Sequence, residues 1–257
     1  MATEFCDLAC RATELVGDGQ EQGVALRSVG GVAIWERLPG ELRTPYEEVR
    51  AQPKDLDLVT LKGTTSNQIK ALFVARGYVP DERLIAWRGD VRHQYFELDE
   101  NGEPVVDVDV FLGLPPACHT FDLPDEEFTG SGVALSATEL LLQKLQIVEA
   151  TDKDLTDIAF LLLANPASLN GAGIDSSRIA GLLSRDWGFH YTATGNLERV
   201  DSILDVKMEG TSQQATRDRI SSLADDIEMA PKSRKWKMRS RLGTKVSWYE
   251  EVEELDR

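Results

Sequence analysis

Residues 53–60 read PKDLDLVT, two carboxylates one residue apart inside an apolar run. Side chains alternate across a strand, so Asp55 and Asp57 point to one face while Leu56, Leu58 and Val59 supply apolar bulk. Two like charges side by side are unfavourable unless water, a basic partner or a divalent cation neutralises them. Only the cation needs both on the same face. Residues 105–112, VVDVDVFL, repeat the pattern: Asp107 and Asp109 share one face, and Val106, Val108, Val110 and Leu112 the other. If the two strands are neighbours, three carboxylates converge at a sheet edge beside a glycine turn. That composition suits Mg²⁺, a hard ion that shares its coordination with substrate phosphates.

Working outward, residues 3–16 (TEFCDLACRATELV) place Phe5, Leu8, Ala9, Ala12, Leu15 and Val16 at helical spacing, and GDGQEQG (17–23) predicts a turn. VALRSV (24–29) reads as a strand, Gly30 and Gly31 break it, and VAIWERL (32–38) reads as a short helix closed by Pro39 and Gly40. Residues 41–53 are polar and carry Pro45 and Pro53, which predicts a loop with room for one helical turn. After the DLDL strand come a helix over about 65–76 and a turn at Gly77. RLIAW (83–87) and RHQYFEL (92–98) then read as antiparallel strands, and ENGEP (100–104) as a turn.

The second half is helical. Leu140, Leu141, Leu145 and Val148 form one stripe and Leu155, Ile158, Leu162 and Leu163 another, and Asp175 stands as a cap before SSRIAGLL. Lys144 lies on the first of these helices; Asp154 and Asp157, three apart, lie on one face of the second. Two readings stand side by side: contacts to a nucleotide, or a salt-bridge network between neighbouring helices.

In order, GGVAIWERL (30–38), KDLDLV (54–59) and VDVDVF (106–111) resemble the motifs of the nucleotidyltransferase superfamily with a polymerase beta-like fold. The resemblance reaches into ATELLLQKLQIVEATDKDLTDIAFLLL (137–163), which looks like the helical region of the AbiEii and MenT toxin-like nucleotidyltransferases. It implies an α+β fold: a mixed-sheet nucleotidyltransferase core with flanking helices over residues 1–135, a helical domain over 136–230 and a charged tail over 231–257. It implies an Mg²⁺-dependent enzyme moving a nucleoside monophosphate from a nucleoside triphosphate to an acceptor hydroxyl, with tRNA, other RNA, a protein or a small molecule as acceptor. Residue by residue, Gly30 and Gly31 would approach the triphosphate, and Asp55 and Asp57 would hold the metal. Asp109 would be the third, catalytic ligand, with Asp107 the alternate; Lys144, Asp154 and Asp157 would contact the nucleotide. The segment between Gly31 and Asp55 is longer than the superfamily pattern, and the doubled aspartate in VDVDVF leaves the register ambiguous. The alternatives are an inactive nucleotide-binding or antitoxin-like module, and an interaction domain whose acidic face binds a basic partner.

The 257 residues carry a net charge of −16, which repels nucleic acid except at a local basic patch or a metal. One such patch exists, KSRKWKMRSR (232–241), with Trp236 inside it and EEVEELD (250–256) after it. It reads either as a solvated, self-neutralising tail or as an RNA contact. Cys6, Cys10 and Cys118 make no CxxC pair and no even disulfide framework, and no segment reads as a signal peptide or membrane span, which predicts a cytoplasmic protein. Cys118 and His119 are adjacent, so their side chains diverge, which argues against a zinc pair. GxSxG and P-loop motifs do not occur. Trp187, Tyr191, Trp248 and Tyr249 read as core or interface aromatics.

Overall fold

The computed structural model describes residues 4–115, 117–169 and 173–252; residue 3 of the first expected helix and residues 253–257 of the tail lie outside them. The chain divides into two compact units, one of residues 1–37, 51–115 and 122–135, the other of residues 38–50, 116–121 and 136–257.

The first unit is built from α1 (Phe5–Glu21), β1 (Leu26–Val29) and α2 (Gly30–Arg37), then β2 (Asp55–Thr60), α4 (Ser66–Ala75), β3 (Val79–Pro80), α5 (Glu82–Arg88), β4 (Arg92–Leu98) and β5 (Pro104–Leu112); α3 (Gly40–Val49) belongs to the second. The five strands form one mixed sheet in the order β1-β2-β5-β4-β3. β2 and β5 are parallel and the other pairs antiparallel, so the architecture is α+β with β5 in the centre. Along β2 and β5 one face is apolar: Leu56 stands opposite Val108 and Leu58 opposite Val110, all four fully buried. Residues 133–135 continue along the outer side of β1, where Ser28 N–H donates to Val133 O (2.8 Å) and Leu135 N–H to Ser28 O (3.1 Å).

In the first hundred residues three elements differ from the sequence expectation. α1 runs through GDGQE where a turn is expected; a Cβ on Gly19 would lie 2.5 Å from Val24 O, so this glycine serves a close approach of the returning chain. RLIAW is a helix, α5. The Asp81 carboxylate caps it, accepting from the N–H groups of Arg83 (2.9 Å) and Leu84 (3.0 Å), and the strand beside β4 is the two-residue β3. The expected loop over 41–53 holds α3, with Pro45 inside it and Tyr46 as its buried residue.

The second unit continues with α6 (Ala137–Leu145), α7 (Asp152–Ala164), the short parallel pair β6 (Ala167–Ser168) and β7 (Ile174–Asp175), then α8 (Ser176–Leu183), α9 (Trp187–Lys207), α10 (Gly210–Met229) and α11 (Arg234–Ser240). The leucine stripes of α6 and α7 are buried as the periodicity predicts, except Val148 and Leu163, which are only half-buried. Asp175 caps α8, accepting from Ser177 N–H at 2.9 Å and Arg178 N–H at 3.1 Å. The basic segment read as a tail is helix α11, capped by Ser233, whose own N–H donates to Ser184 O at 2.9 Å. Among the described residues no helix is long and apolar enough to cross a membrane.

Candidate metal and nucleotide site

In the parallel pair β2–β5, Asp55 stands opposite Asp107 and Asp57 opposite Asp109. The four carboxylates therefore occupy the same face, on two interior strands and not at the sheet edge that the sequence suggests. Asp55, Asp57 and Asp107 are half-buried and Asp109 is buried.

Gly30 meets this cluster from β1. Val29, the last residue of β1, pairs with Asp57, and the next residue turns the chain into α2. Gly30 does so at φ +69°, and a Cβ there would lie 2.7 Å from Asp57 Oδ2. Both the backbone conformation and the contact exclude a larger residue. The glycine motif and the first aspartate motif are thus physically adjacent.

Asp109 has a partner that the sequence did not single out. Arg92, at the start of β4, donates from Nε to Oδ1 (3.0 Å) and from Nη2 to both oxygens (2.8 Å each), and its guanidinium lies 5.8 Å from the centre of the Phe111 ring. On β4, Arg92 shares a face with Gln94, which pairs with Asp109, so the contact is a diagonal one. Only the strand pairing reveals it. Of the three neutralisers that the buried carboxylates call for, a basic partner serves Asp109.

Among the described residues no three Asp, Glu, His or Cys side chains form a ready-made metal cage. The donors still fit Mg²⁺ in kind: it keeps several waters and binds through one or two carboxylates plus substrate phosphates, and Asp55 and Asp57 offer such a pair.

Lys144, Asp154 and Asp157 belong to the second unit, where they meet one another and two residues of the α3 segment. Lys144 Nζ lies 2.8 Å from an oxygen of Asp154 and 2.8 Å from one of Asp157. Asp157, fully buried, also accepts from Tyr46 Oη (2.6 Å) and Arg50 Nε (2.9 Å). Burial alone would raise the Asp157 carboxyl and lower Lys144, but the attraction prevails: Lys144 and Arg50 hold Asp157 below the usual carboxylate range, and Asp157 and Asp154 hold Lys144 above the usual amine range. Tyr46, packed edge-on against Phe160 with ring centres 5.2 Å apart, is raised well above the usual phenol range by burial and by Asp157. Two cations and two anions make this a neutral, hydrogen-bonded cluster between helices. Tyr46 and Arg50 escaped sequence reading because Pro45 marks their segment as a loop.

No protein-family model matches the chain, and no curated protein matches it. Solved structures similar to the chain include the following two. One is an antigenic nucleotidyltransferase-like protein from Paracoccidioides brasiliensis, 18% identical, with 68% of this chain and 87% of that one covered at a TM-score of 0.39. The other is a candidate nucleotidyltransferase from H. pylori, 11% identical, with 91% and 97% covered and the same TM-score of 0.39. Likeness at that level assigns no function, and the chain's own residues carry the reading that follows.

Proposed function

We propose that the chain is an Mg²⁺-dependent nucleotidyltransferase of the polymerase beta-like kind, toxin-like in the AbiEii and MenT sense, that transfers a nucleoside monophosphate to an acceptor hydroxyl. The observation that carries this reading is the in-register pairing of DLD with DVD, with Gly30 set against Asp57. Asp55 and Asp57 would hold the cation, which when bound supplies charge neutralisation for the triphosphate and the departing pyrophosphate. Gly30 and Gly31, at the start of α2, let backbone approach the phosphates without side-chain obstruction. Asp109, fixed by the Arg92 fork, orients the acceptor hydroxyl and takes its proton as the oxygen attacks the alpha phosphorus; the bond to the bridging oxygen breaks and pyrophosphate leaves. Asp107 is the alternate for that role. Such chemistry is mostly positioning, which is why glycines and carboxylates suffice. The acceptor hydroxyl belongs to tRNA, another RNA, a protein or a small molecule, and an antitoxin-like protein is the partner class the resemblance implies.

One observation favours a second reading. The bidentate Arg92–Asp109 pair already satisfies the third carboxylate, as expected of a module that binds nucleotide without turnover. Incubation with Mg²⁺ and each labelled nucleoside triphosphate, against tRNA, bulk RNA, protein and small-alcohol acceptors, separates the two. Labelled acceptor that disappears in Asp57→Ala supports the enzyme. Nucleotide binding with no label on any acceptor supports the inactive module.

A further inference from the structure

The second unit contains a cavity of about 770 Å³ that no part of the transfer chemistry uses. Its walls come from residues 118–120, the start of α9, and the stretch from α11 to residue 250. Three exposed cations line it, Arg185, Lys235 and Arg241. Among the described residues these three enter no ion pair. Arg239 is different: it donates to the carbonyls of Gly243 (2.7 Å), Val246 (2.8 Å) and Ser247 (3.1 Å) and lies 4.8 Å over the Trp187 ring, so it holds the wall together. Three half-buried rings, Trp236, Trp248 and Tyr249, complete the lining. The buried indole N–H of Trp236 meets no acceptor among the described residues. The carboxylates on the wall are Asp186 and Glu250, and Asp186 is engaged in capping α9, accepting from Phe189 N–H at 3.0 Å.

We infer that this cavity is a stacking site for single-stranded nucleic acid. In a chain of net charge −16 it gathers cations on the rim and aromatic rings within. Cations meet phosphates, and rings stack on bases of any sequence. Its volume falls within the range of about 300–1,000 Å³ typical of ligand sites, enough for a base with its sugar. An acidic peptide would match the cations and gain nothing from the rings; an apolar small molecule would leave the cations unused. The inference stands apart from the transfer reaction, since nothing in it requires Asp55, Asp57 or a metal.

Fluorescence anisotropy with labelled oligo-U and oligo-dT in EDTA tests it on the full chain. With three cations on phosphate the salt slope is about −2, an affinity loss of about 20-fold between roughly 50 and 200 mM salt. The triple variant Arg185→Gln, Lys235→Gln, Arg241→Gln, confined to exposed side chains, flattens that slope. Tyr249→Leu weakens binding about tenfold and leaves the slope unchanged, because a lost stack carries no counterions. Asp55→Ala with Asp57→Ala binds as the intact protein does, which keeps this result separate from the fate of the transfer reaction. Absent salt-dependent binding, equal affinity in the triple variant, or competition by polyglutamate as strong as by oligonucleotide would overturn the inference.

Discussion

Gly30→Ala probes the contact that joins the glycine motif to the carboxylates. At φ +69° an L side chain costs about 1–2 kcal/mol of backbone strain. The added methyl would sit 2.7 Å from Asp57 Oδ2, well inside ordinary contact, so Asp57 must leave its rotamer at a further cost of about 0.5–1.5 kcal/mol. Together these amount to about 1.5–3.5 kcal/mol, a fall in Tm of roughly 3–14 °C for a chain of this size. Gly77→Ala is the matched control: its φ is +84° and nothing lies within 4 Å of a Cβ there, so it reports strain alone. Asp57→Ala removes the oxygen that the new methyl meets, so combining it with Gly30→Ala yields a coupling of about 1 kcal/mol in a double-mutant cycle. Thermal melts of the four proteins supply the stabilities. Mg²⁺-dependent nucleotide affinity falls in Gly30→Ala and holds in Gly77→Ala. If Gly30→Ala is no worse than the control and strictly additive with Asp57→Ala, the proposed contact has no energetic weight.

Three other perturbations probe the remaining groups. Asp157→Ala takes from Arg50 and Lys144 the buried carboxylate they share and leaves Lys144 with Asp154, so denaturant titration registers a loss of about 3–5 kcal/mol, whereas an exposed pair would lose less than about 1 kcal/mol. His119, buried against Phe189 and within 2.8 Å of Thr192 Oγ1, is lowered from 6.5 to about 4 by burial, with Asp186 opposing the shift weakly. Between those values the unfolded chain binds a proton that the folded chain refuses. Stability therefore rises by about 3 kcal/mol from pH 4 to pH 6.5, and His119→Gln removes that slope from a series of melts. Asp109→Asn abolishes transfer while nucleotide binding persists, and Asp107→Asn is milder; the reverse ranking in the labelled-nucleotide assay moves the catalytic role to Asp107.

The carboxylate faces were legible because strand alternation is local: DLDL and VDVDV each declare their two sides without reference to any other residue. What the sequence withheld was long-range. That the two strands are adjacent, parallel and in register with Asp57 opposite Asp109 depends on pairing across some fifty intervening residues, and the Arg92 contact follows only from that pairing. α5 was misread because none of its residues is buried, so it carries no apolar stripe, and its cap at Asp81 was the sole local signal. α3 was misread because Pro45 outweighs a helix whose one buried residue, Tyr46, is held by a tertiary partner. Lys144, Asp154 and Asp157 were found as charges at helical spacing, but whether they face a ligand or one another is a question of packing.

The proposed transfer stands or falls with Asp55 and Asp57 holding Mg²⁺ against a nucleoside triphosphate. Isothermal titration of each triphosphate in Mg²⁺ and in EDTA, with the intact protein and with folded Asp55→Ala and Asp57→Ala variants, addresses it directly. Binding is expected to need the cation and to vanish in both variants. Equal affinity in EDTA, or unaltered Mg²⁺-dependent binding in the variants, would contradict it.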